Sequence, residues 1–285
     1  IHGVGALLLA LLLLHHTVYA GRYGSRPEMV WLWTLMTGAA VGSLLYVYFM
    51  VPMLDRSRSW TVASVTRLTP RQWEVTVKPS GHTGLDFQAG QFVWLNLGHS
   101  PFSLKENPFS ISSAPADGAE VSFMIKELGN FTRSIGEVQV GTVAYLDGPY
   151  GTLCVDGRKE PGIALIAGGV GLAPLLGILR QLRATDDPRS VKIIYGNRLA
   201  DQIAYSEELD NEDVTSVLSE PPEDWNGASG FIDAGLLDRI FSSDEFKQWV
   251  FVMCGPAAMM DAVEDHLLLR GAEADRILSE RFDYD

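Results

Sequence analysis

Asn107-Pro-Phe-Ser-Ile-Ser-Ser113 is the stretch on which the reading of this chain turns. Upstream of it, residues 61–68, 73–77 and 91–97 alternate polar and apolar side chains, with breaks at Pro70, Pro79, Gly81 and Gly90. Short alternating runs punctuated in this way predict a many-stranded antiparallel barrel. Inside such a barrel, 107–113 fits a strand edge that offers its backbone and the Ser110 hydroxyl to a flat ring. Phe109 adds an aromatic surface, Pro108 fixes the angle of entry, and Asn107 can hydrogen-bond a phosphate or a ribitol without bringing charge.

Working outward, Val121–Lys126 reads as a further strand, and Gly129-Asn-Phe-Thr132 follows it at the start of a short helix. A small residue, free amides and a hydroxyl at a helix start make an anion site suited to a diphosphate. That would favour a dinucleotide over a mononucleotide. Asp147-Gly-Pro-Tyr-Gly151 reads as a structural turn that closes the barrel.

From Gly162 the pattern changes to strand, turn and helix repeats: 163–169 then 172–183, 191–197 then 206–210, 249–255 then 257–270. Continuous apolar strands alternating with helices predict a parallel sheet covered on both faces. Gly168, Gly169 and Gly171, with Pro174 beyond them, stand where a first strand gives way to a helix, so the backbone there can approach a pyrophosphate. Arg198, after the second strand, is placed to meet an adenosine ribose, where an Arg accommodates a 2′-phosphate. With Asp201 close by, this is a modest argument for NADPH over NADH. Cys254, Gly255 and Pro256 end a third strand, where ligands of open sheets collect.

The net charge of −13 argues against a nucleic-acid surface. Two cysteines, Cys154 and Cys254, exclude a four-cysteine iron–sulfur cluster within the chain and make a disulfide framework implausible. A length of 285 residues suggests about two domains. The chain opens on Ile1 inside an apolar run, which leads us to expect a longer protein with an upstream part.

Residues 30–54 carry no charge and are long enough to cross a bilayer as a helix. Trp31, Trp33, Tyr46 and Tyr48 lie toward the ends of that run, where aromatic rings favour the membrane interface. Residues 1–20 form a second apolar helix, and Val18-Tyr-Ala20 offers a signal-peptide reading, although the basic start of such a peptide is absent. His2, His15 and His16 lie in this helix. At 100° per residue His2 and His16 differ by about 40° and by about 21 Å of rise, whereas His2 and His15 differ by about 140°. Two imidazoles on one face, His2 and His16, suit the iron of two stacked haems, with His15 the alternative to His16. His82, His99 and His266 read as ordinary surface residues. The flanking arginines, Arg22 and Arg26 against Arg56 and Arg58, do not settle orientation. The supply of nicotinamide nucleotide places the module after Leu54 in the cytoplasm.

In order and spacing, the Asn107–Pro108–Phe109–Ser110 block, Gly129-x-x-Thr132, the 167–174 glycine turn, Cys254-Gly-Pro and Glu280-Arg-Phe282 resemble the flavin and nicotinamide module of the ferredoxin-NADP reductase family. With the apolar segments in front, the chain resembles the tail of a ferric reductase or NADPH oxidase type membrane enzyme. The resemblance implies the last two transmembrane helices of a haem domain over 1–54, an FAD-binding antiparallel β-barrel over 55–158 and an α/β NAD(P)-binding domain over 159–285. It places Ser110 near the reactive flavin nitrogen, and Cys254 and Glu280 with it around the hydride-transfer site. Phe282, or else Tyr284, would lie over the flavin. Asn107 departs from the His or Arg usual in the family, and Ala173 from the usual Thr.

The implied enzyme is a multi-pass membrane oxidoreductase passing electrons from NADPH or NADH through FAD and haem b to ferric iron, oxygen or another redox protein, in contact with membrane lipid. Two alternatives stand beside it. One is a membrane-tethered, haem-free flavin reductase feeding a partner redox protein. The other is an inactive cofactor-binding subunit with a regulatory role.

Overall fold

A computed structural model describes residues 2–19, 26–103 and 105–281. Helix α1 spans His2–Tyr19, and α2 spans Pro27–Leu45. A π turn at Tyr46–Met50 joins α2 to α3, Val51–Asp55. Pro27 starts α2 at a position where its missing N–H costs no internal bond. Pro52 explains the π turn: its ring crowds the carbonyl of Tyr48 and it supplies no donor, so the helix widens by one residue just ahead of it.

Together Pro27–Leu54 make 28 residues of mean hydropathy 1.6, none buried against the rest of the chain. Among the described residues this is the one helix long and apolar enough to cross a membrane. Helix α1, at 18 residues, rises about 27 Å, short of the roughly 30 Å of hydrocarbon. The expected pair of spanning helices is therefore met by length in one of them. The two run side by side: a Cβ on Gly3 would stand 2.9 Å from the Tyr48 ring.

The barrel follows. Its strands are β1 (Trp60–Thr69), β2 (Gln72–Pro79), β3 (Phe92–Leu97), β4 (Asn107–Ser110), β5 (Val121–Lys126) and β6 (Val143–Tyr150). They form one antiparallel sheet in the order β4-β3-β6-β1-β2-β5. A bridge between Ile111 and Phe123 draws the two edge strands together. The alternation read in the sequence fills the interior with Val62, Val75, Val77, Val93, Leu95, Phe123 and Ile125, all fully buried. Residues 147–150 belong to the end of β6, so the expected closing turn is a strand end.

Beyond residue 160 a parallel sheet is built from β7 (Gly162–Gly168), β8 (Ser190–Asn197), β9 (Val214–Leu218), β10 (Ala228–Ser229), β11 (Val250–Gly255) and β12 (Ile277–Arg281). The intervening helices are α5 (Leu172–Ala184), α6 (Ser206–Leu209), α7 (Ala234–Ile240), α8 (Ser243–Gln248) and α9 (Ala257–Leu269); α4 is the single turn Asn130–Arg133 of the barrel. The order β10-β9-β8-β7-β11-β12 shows the chain stepping outward from β7 and then returning to its other side. Such a reversal opens a crevice at the carboxyl ends of β7 and β11.

Both faces of the sheet are covered. Leu165 and Val252 point to the cluster under α5, while Ala164, Ile166 and Phe251 point to the cluster under α7 to α9. One surface assignment is corrected. His266 faces inward on α9, 9% exposed, bonded to Asp238 at 2.8 Å and edge-on to Phe246. His99 is exposed, and His82 packs against Trp60 and bonds the Ser59 carbonyl.

Candidate active site

Edge strand β4 lines one side of a cavity of about 280 Å³ with Asn107, Pro108, Phe109 and Ser110. Pairing with β3 fixes its backbone, with Phe92 opposite Ser110 and Val93 opposite Phe109. The Ser110 hydroxyl is buried and has no protein partner, although it lies on the cavity wall. A buried hydroxyl without a partner is costly, and this one is open to a group entering the cavity. Phe109 and Phe131 stack at 6.2 Å, giving an aromatic wall suited to a flat ring.

The opposite rim is the turn around α4. Here the anion-site expectation changes in detail. The Thr132 hydroxyl accepts bonds from the amides of Leu128, at 2.8 Å, and Gly129, at 2.9 Å. Those two amides are thus already satisfied. The first internal bond of the turn is Arg133 N–H to the Gly129 carbonyl, so it is the amides of 130–132 that open the turn and face outward. Thr132 thus braces the turn, and the amides of 130–132 are the ones left for an anion.

A second cavity of about 710 Å³ lies at the crevice of the parallel sheet. Gly168 and Gly169 line it from the end of β7, Asn197 and Arg198 from β8, and Gly255 and Pro256 from β11. Gly169 takes φ +56, a conformation that disfavours any side chain. Gly171 and Pro174 lie outside both linings. The reason for glycine at 171 is packing: a Cβ there would stand 2.1 Å from the Cys254 carbonyl. Pro174 is buried in the first turn of α5, where its missing donor leaves no bond broken.

Arg198 is 61% exposed at its side chain and stands 3.9 Å from Glu220, the residue after the lining Ser219. Cys254 is fully buried beside Glu280, its partner in the β11–β12 register. Burial, then the neighbouring Glu280, pushes the Cys254 thiol well above its ordinary value, so it stays a neutral thiol. Burial likewise raises the Glu280 carboxyl, and one of its oxygens has no hydrogen-bond partner. This pair sits behind the two cavities, outside their linings. Phe282 and Tyr284 lie outside the described residues.

Lys126, at the end of β5, was not singled out by the sequence reading. It lines both cavities and comes within 4.0 Å of the Cβ position of Gly169. Burial, and then Arg71 and Arg198, lower the pKa of its ammonium. Cations gathered at a glycine turn favour a bound anion. The sequence signal was available: Lys126 is the one charge in a strand otherwise made of Val, Ser, Phe, Met and Ile, three residues ahead of Gly129.

Helix α1 begins at His2 and carries His15 and His16 on exposed positions, with the His15 ring 4.9 Å from that of Tyr19. Among the described residues no group of three or more histidine, cysteine or acidic side chains converges as a metal site. Within the described residues, His15 and His16 therefore join no such group.

Residues 59–154 match the family described as FAD-binding domain, and residues 165–265 that described as oxidoreductase NAD-binding domain. The reductase component of propane 2-monooxygenase from Mycolicibacterium goodii is 29% identical over 219 residues, covering 72% of this chain and 62% of the relative. NADH-cytochrome b5 reductase 1 of Mycosarcoma maydis is 33% identical over 169 residues, covering 54% of this chain and 50% of the relative. The chain thus spans less than two thirds of the length of these curated relatives. In fold, the flavohem-like FAD/NAD-binding domain of nitric oxide dioxygenase from Vibrio cholerae O1 superposes with TM-score 0.69 at 22% identity, over 79% of this chain and 98% of that one. The first two are by name a reductase component and a reductase, so they extend the flavin and nicotinamide resemblance and not its ferric reductase part. Residues 59–154 and 165–265 are the FAD-binding and NAD-binding domains of the ferredoxin-NADP reductase family.

Proposed function

We propose that this chain is an NAD(P)H-dependent flavin reductase that delivers electrons to a partner redox protein. One observation carries the reading: the two cavities meet, sharing Lys126, Leu128 and Val170 as common walls. A hydride donor held in one would therefore lie next to an acceptor held in the other. When bound, FAD supplies the conversion of a two-electron donor into one-electron steps. The protein's part is positional. Phe109 holds the ring, Ser110 offers its unpaired hydroxyl, the turn at 129–132 holds the diphosphate, and Gly168, Gly169 and Lys126 hold the nucleotide's pyrophosphate.

For the donor, Glu220 offsets the charge of Arg198 at the mouth of the nucleotide cavity. A carboxylate near the adenosine ribose suits a free 2′-hydroxyl better than a phosphate. NADH is therefore the better fit, against the NADPH preference that Arg198 alone suggested. Pro27–Leu54 anchors the chain in the membrane, with both nucleotide domains on the cytoplasmic side where NADH is made.

The test is NADH-dependent and NADPH-dependent reduction of ferricyanide by the full-length protein in detergent, with a visible spectrum of the same sample. Turnover with flavin absorbance alone supports a tethered reductase. The second reading, a haem-carrying membrane reductase, rests on the exposed His15 and His16 of α1 beside the membrane helix. Split haem bands that show reduction when nucleotide is added would establish it. A lower KM for NADPH would return Arg198 to the role of a 2′-phosphate ligand, and flavin binding without turnover would favour the regulatory subunit.

A further inference from the structure

Away from both cavities, a cluster of charged and aromatic side chains joins the two domains. The guanidinium of Arg180, on α5, makes two bonds of 2.7 Å to Glu208 of α6. Its remaining nitrogen crosses the domain boundary, donating to the Ser112 carbonyl at 2.9 Å and standing 3.7 Å from Glu74 of β2. The Tyr205 hydroxyl, from the nucleotide domain, donates to the same Glu74 oxygen at 2.8 Å. Arg180 also lies over the Tyr205 ring at 5.1 Å. Tyr205 is held in a left-handed backbone conformation, φ 55, unusual for an aromatic residue. Arg180 and Glu74 are each about one-fifth exposed at the side chain.

The element that carries Arg180 links the two cavities. Helix α5 starts at the glycine turn of the nucleotide cavity, and Val170 and Ala173 from that start line the flavin cavity. Its middle lies directly on the barrel: a Cβ on Gly177 would stand 2.8 Å from the Ile111 carbonyl and 3.1 Å from that of Ser113. Gln181, one residue past Arg180, accepts from the Ala116 amide at 3.0 Å. Residues 111–113 in turn continue directly from Ser110 of the flavin wall. A rotation of α5 on the barrel would therefore move the nucleotide turn relative to Ser110.

We propose that Arg180, Glu74 and Tyr205 form an interdomain clamp that fixes the angle of the nucleotide domain on the barrel, and so the distance between the hydride donor and its acceptor. These are positioning residues, since none of them touches either cavity. The clamp rests on the reductase reading given above. A shift of about 1 Å in reacting geometry can cost a hundredfold in rate, so a device well away from the chemistry can govern it.

The experiment is single-turnover flavin reduction in the full-length, FAD-loaded protein, with NADH concentration varied to separate the limiting rate from the dissociation constant. Wild type must first reduce its flavin; if it does not, the reductase reading fails independently of the clamp. Given reduction in wild type, Arg180→Ala and the double variant Glu74→Gln/Tyr205→Phe are each expected to slow the limiting rate about tenfold or more. FAD content, NADH dissociation constant and melting temperature should stay close to wild type. Arg180→Lys, which keeps the charge and can still reach the Ser112 carbonyl, should recover part of the rate. Weakening of the long-wavelength charge-transfer band between reduced flavin and NAD+ should accompany the loss. Unchanged limiting rates in both variants overturn the clamp. So does a rate loss that only follows lost FAD or a lowered melting temperature, because that is the signature of a merely structural interface; in that event Arg180→Lys would restore stability and rate together.

Discussion

The barrel and the parallel sheet hold their ligands by opposite means. The flavin cavity is walled by side chains of an edge strand and one short turn, Asn107, Phe109, Ser110 and Phe131. The nucleotide cavity is floored by backbone, where Gly168, Gly169 and Gly255 leave no side chain in the way. An antiparallel edge strand projects alternate side chains to one face, so its chemistry is written in residue identity. Parallel strands present their carboxyl ends and the amides that follow, so theirs is written in the absence of side chains. One domain should fail when atoms are removed, and the other when atoms are added.

The largest effect is expected from an addition. Gly171→Ala would drive a methyl group to 2.1 Å from the Cys254 carbonyl and 2.9 Å from the Gly255 amide, both backbone atoms that cannot step aside. Overpacking at a site this tight costs about 3 kcal/mol or more. Thermal unfolding should show a large loss, and nucleotide binding should fall with it. A stable Gly171→Ala protein would mean that the turn is looser than its packing indicates.

Removal is the test for the barrel. Phe109→Ala together with Thr132→Ala deletes one aromatic wall and the hydroxyl that holds the turn at 128–129. The combined loss of affinity should reach about 3 kcal/mol, roughly a hundredfold. The double variant should purify largely free of FAD while the nucleotide domain stays folded. Full flavin occupancy would contradict the assignment of this cavity.

The seam between the two regions breaks the comparison, because Lys126 is a side chain contributed by the barrel to the backbone-lined cavity. Lys126→Ala removes a charge-assisted contact worth about 1.5–3 kcal/mol, so NADH affinity measured by titration should fall about tenfold to a hundredfold. FAD content should change little. If FAD is lost and NADH affinity holds, Lys126 belongs to the flavin side alone.

The smallest effect is in pH dependence. Burial raises the Glu280 carboxyl above its ordinary range, so the folded chain holds that proton more tightly than the unfolded chain does. Stability from this group is then full at low pH and is lost as pH rises through the folded value. Glu280→Gln should flatten the fall in melting temperature between mildly acidic and alkaline buffers. A steeper fall in the variant would reverse the sign of this account.

Much of the fold was legible because both periods were present in the sequence. The alternation at 61–68 and 73–77 became β1 and β2, and the apolar runs at 163–169, 191–197 and 249–255 became β7, β8 and β11. Two of the missed strands lacked a hydrophobic signature. Strand β12, Ile-Leu-Ser-Glu-Arg, is an edge strand with polar residues, and β10 is only two residues long. His266 was misplaced because a histidine on an amphipathic helix gives no sign of which face it occupies until Asp238 and Phe246 arrive from other elements.

The site divided in the same way. Residues in the motifs at 107–110, 168–169 and 255–256 line the cavities, whereas Gly171 and Pro174 support them from behind. Lys126 carried a signal in its strand, but its place on the wall of both cavities is set only where the two domains meet. The interdomain cluster of Arg180, Glu74 and Tyr205 was invisible for the same reason, its members being far apart in the chain.

The claim on which everything else depends is that the two cavities form one reaction chamber. Its most direct test is the loss of flavin absorbance in the FAD-loaded, full-length protein mixed anaerobically with NADH, repeated with NADH deuterated at the transferred position. The expected result is bleaching of the flavin in one kinetic phase that slows on deuteration, the mark of hydride passing directly from donor to ring. Nucleotide that binds while the flavin stays oxidised, or bleaching indifferent to deuteration at every NADH concentration, would contradict it.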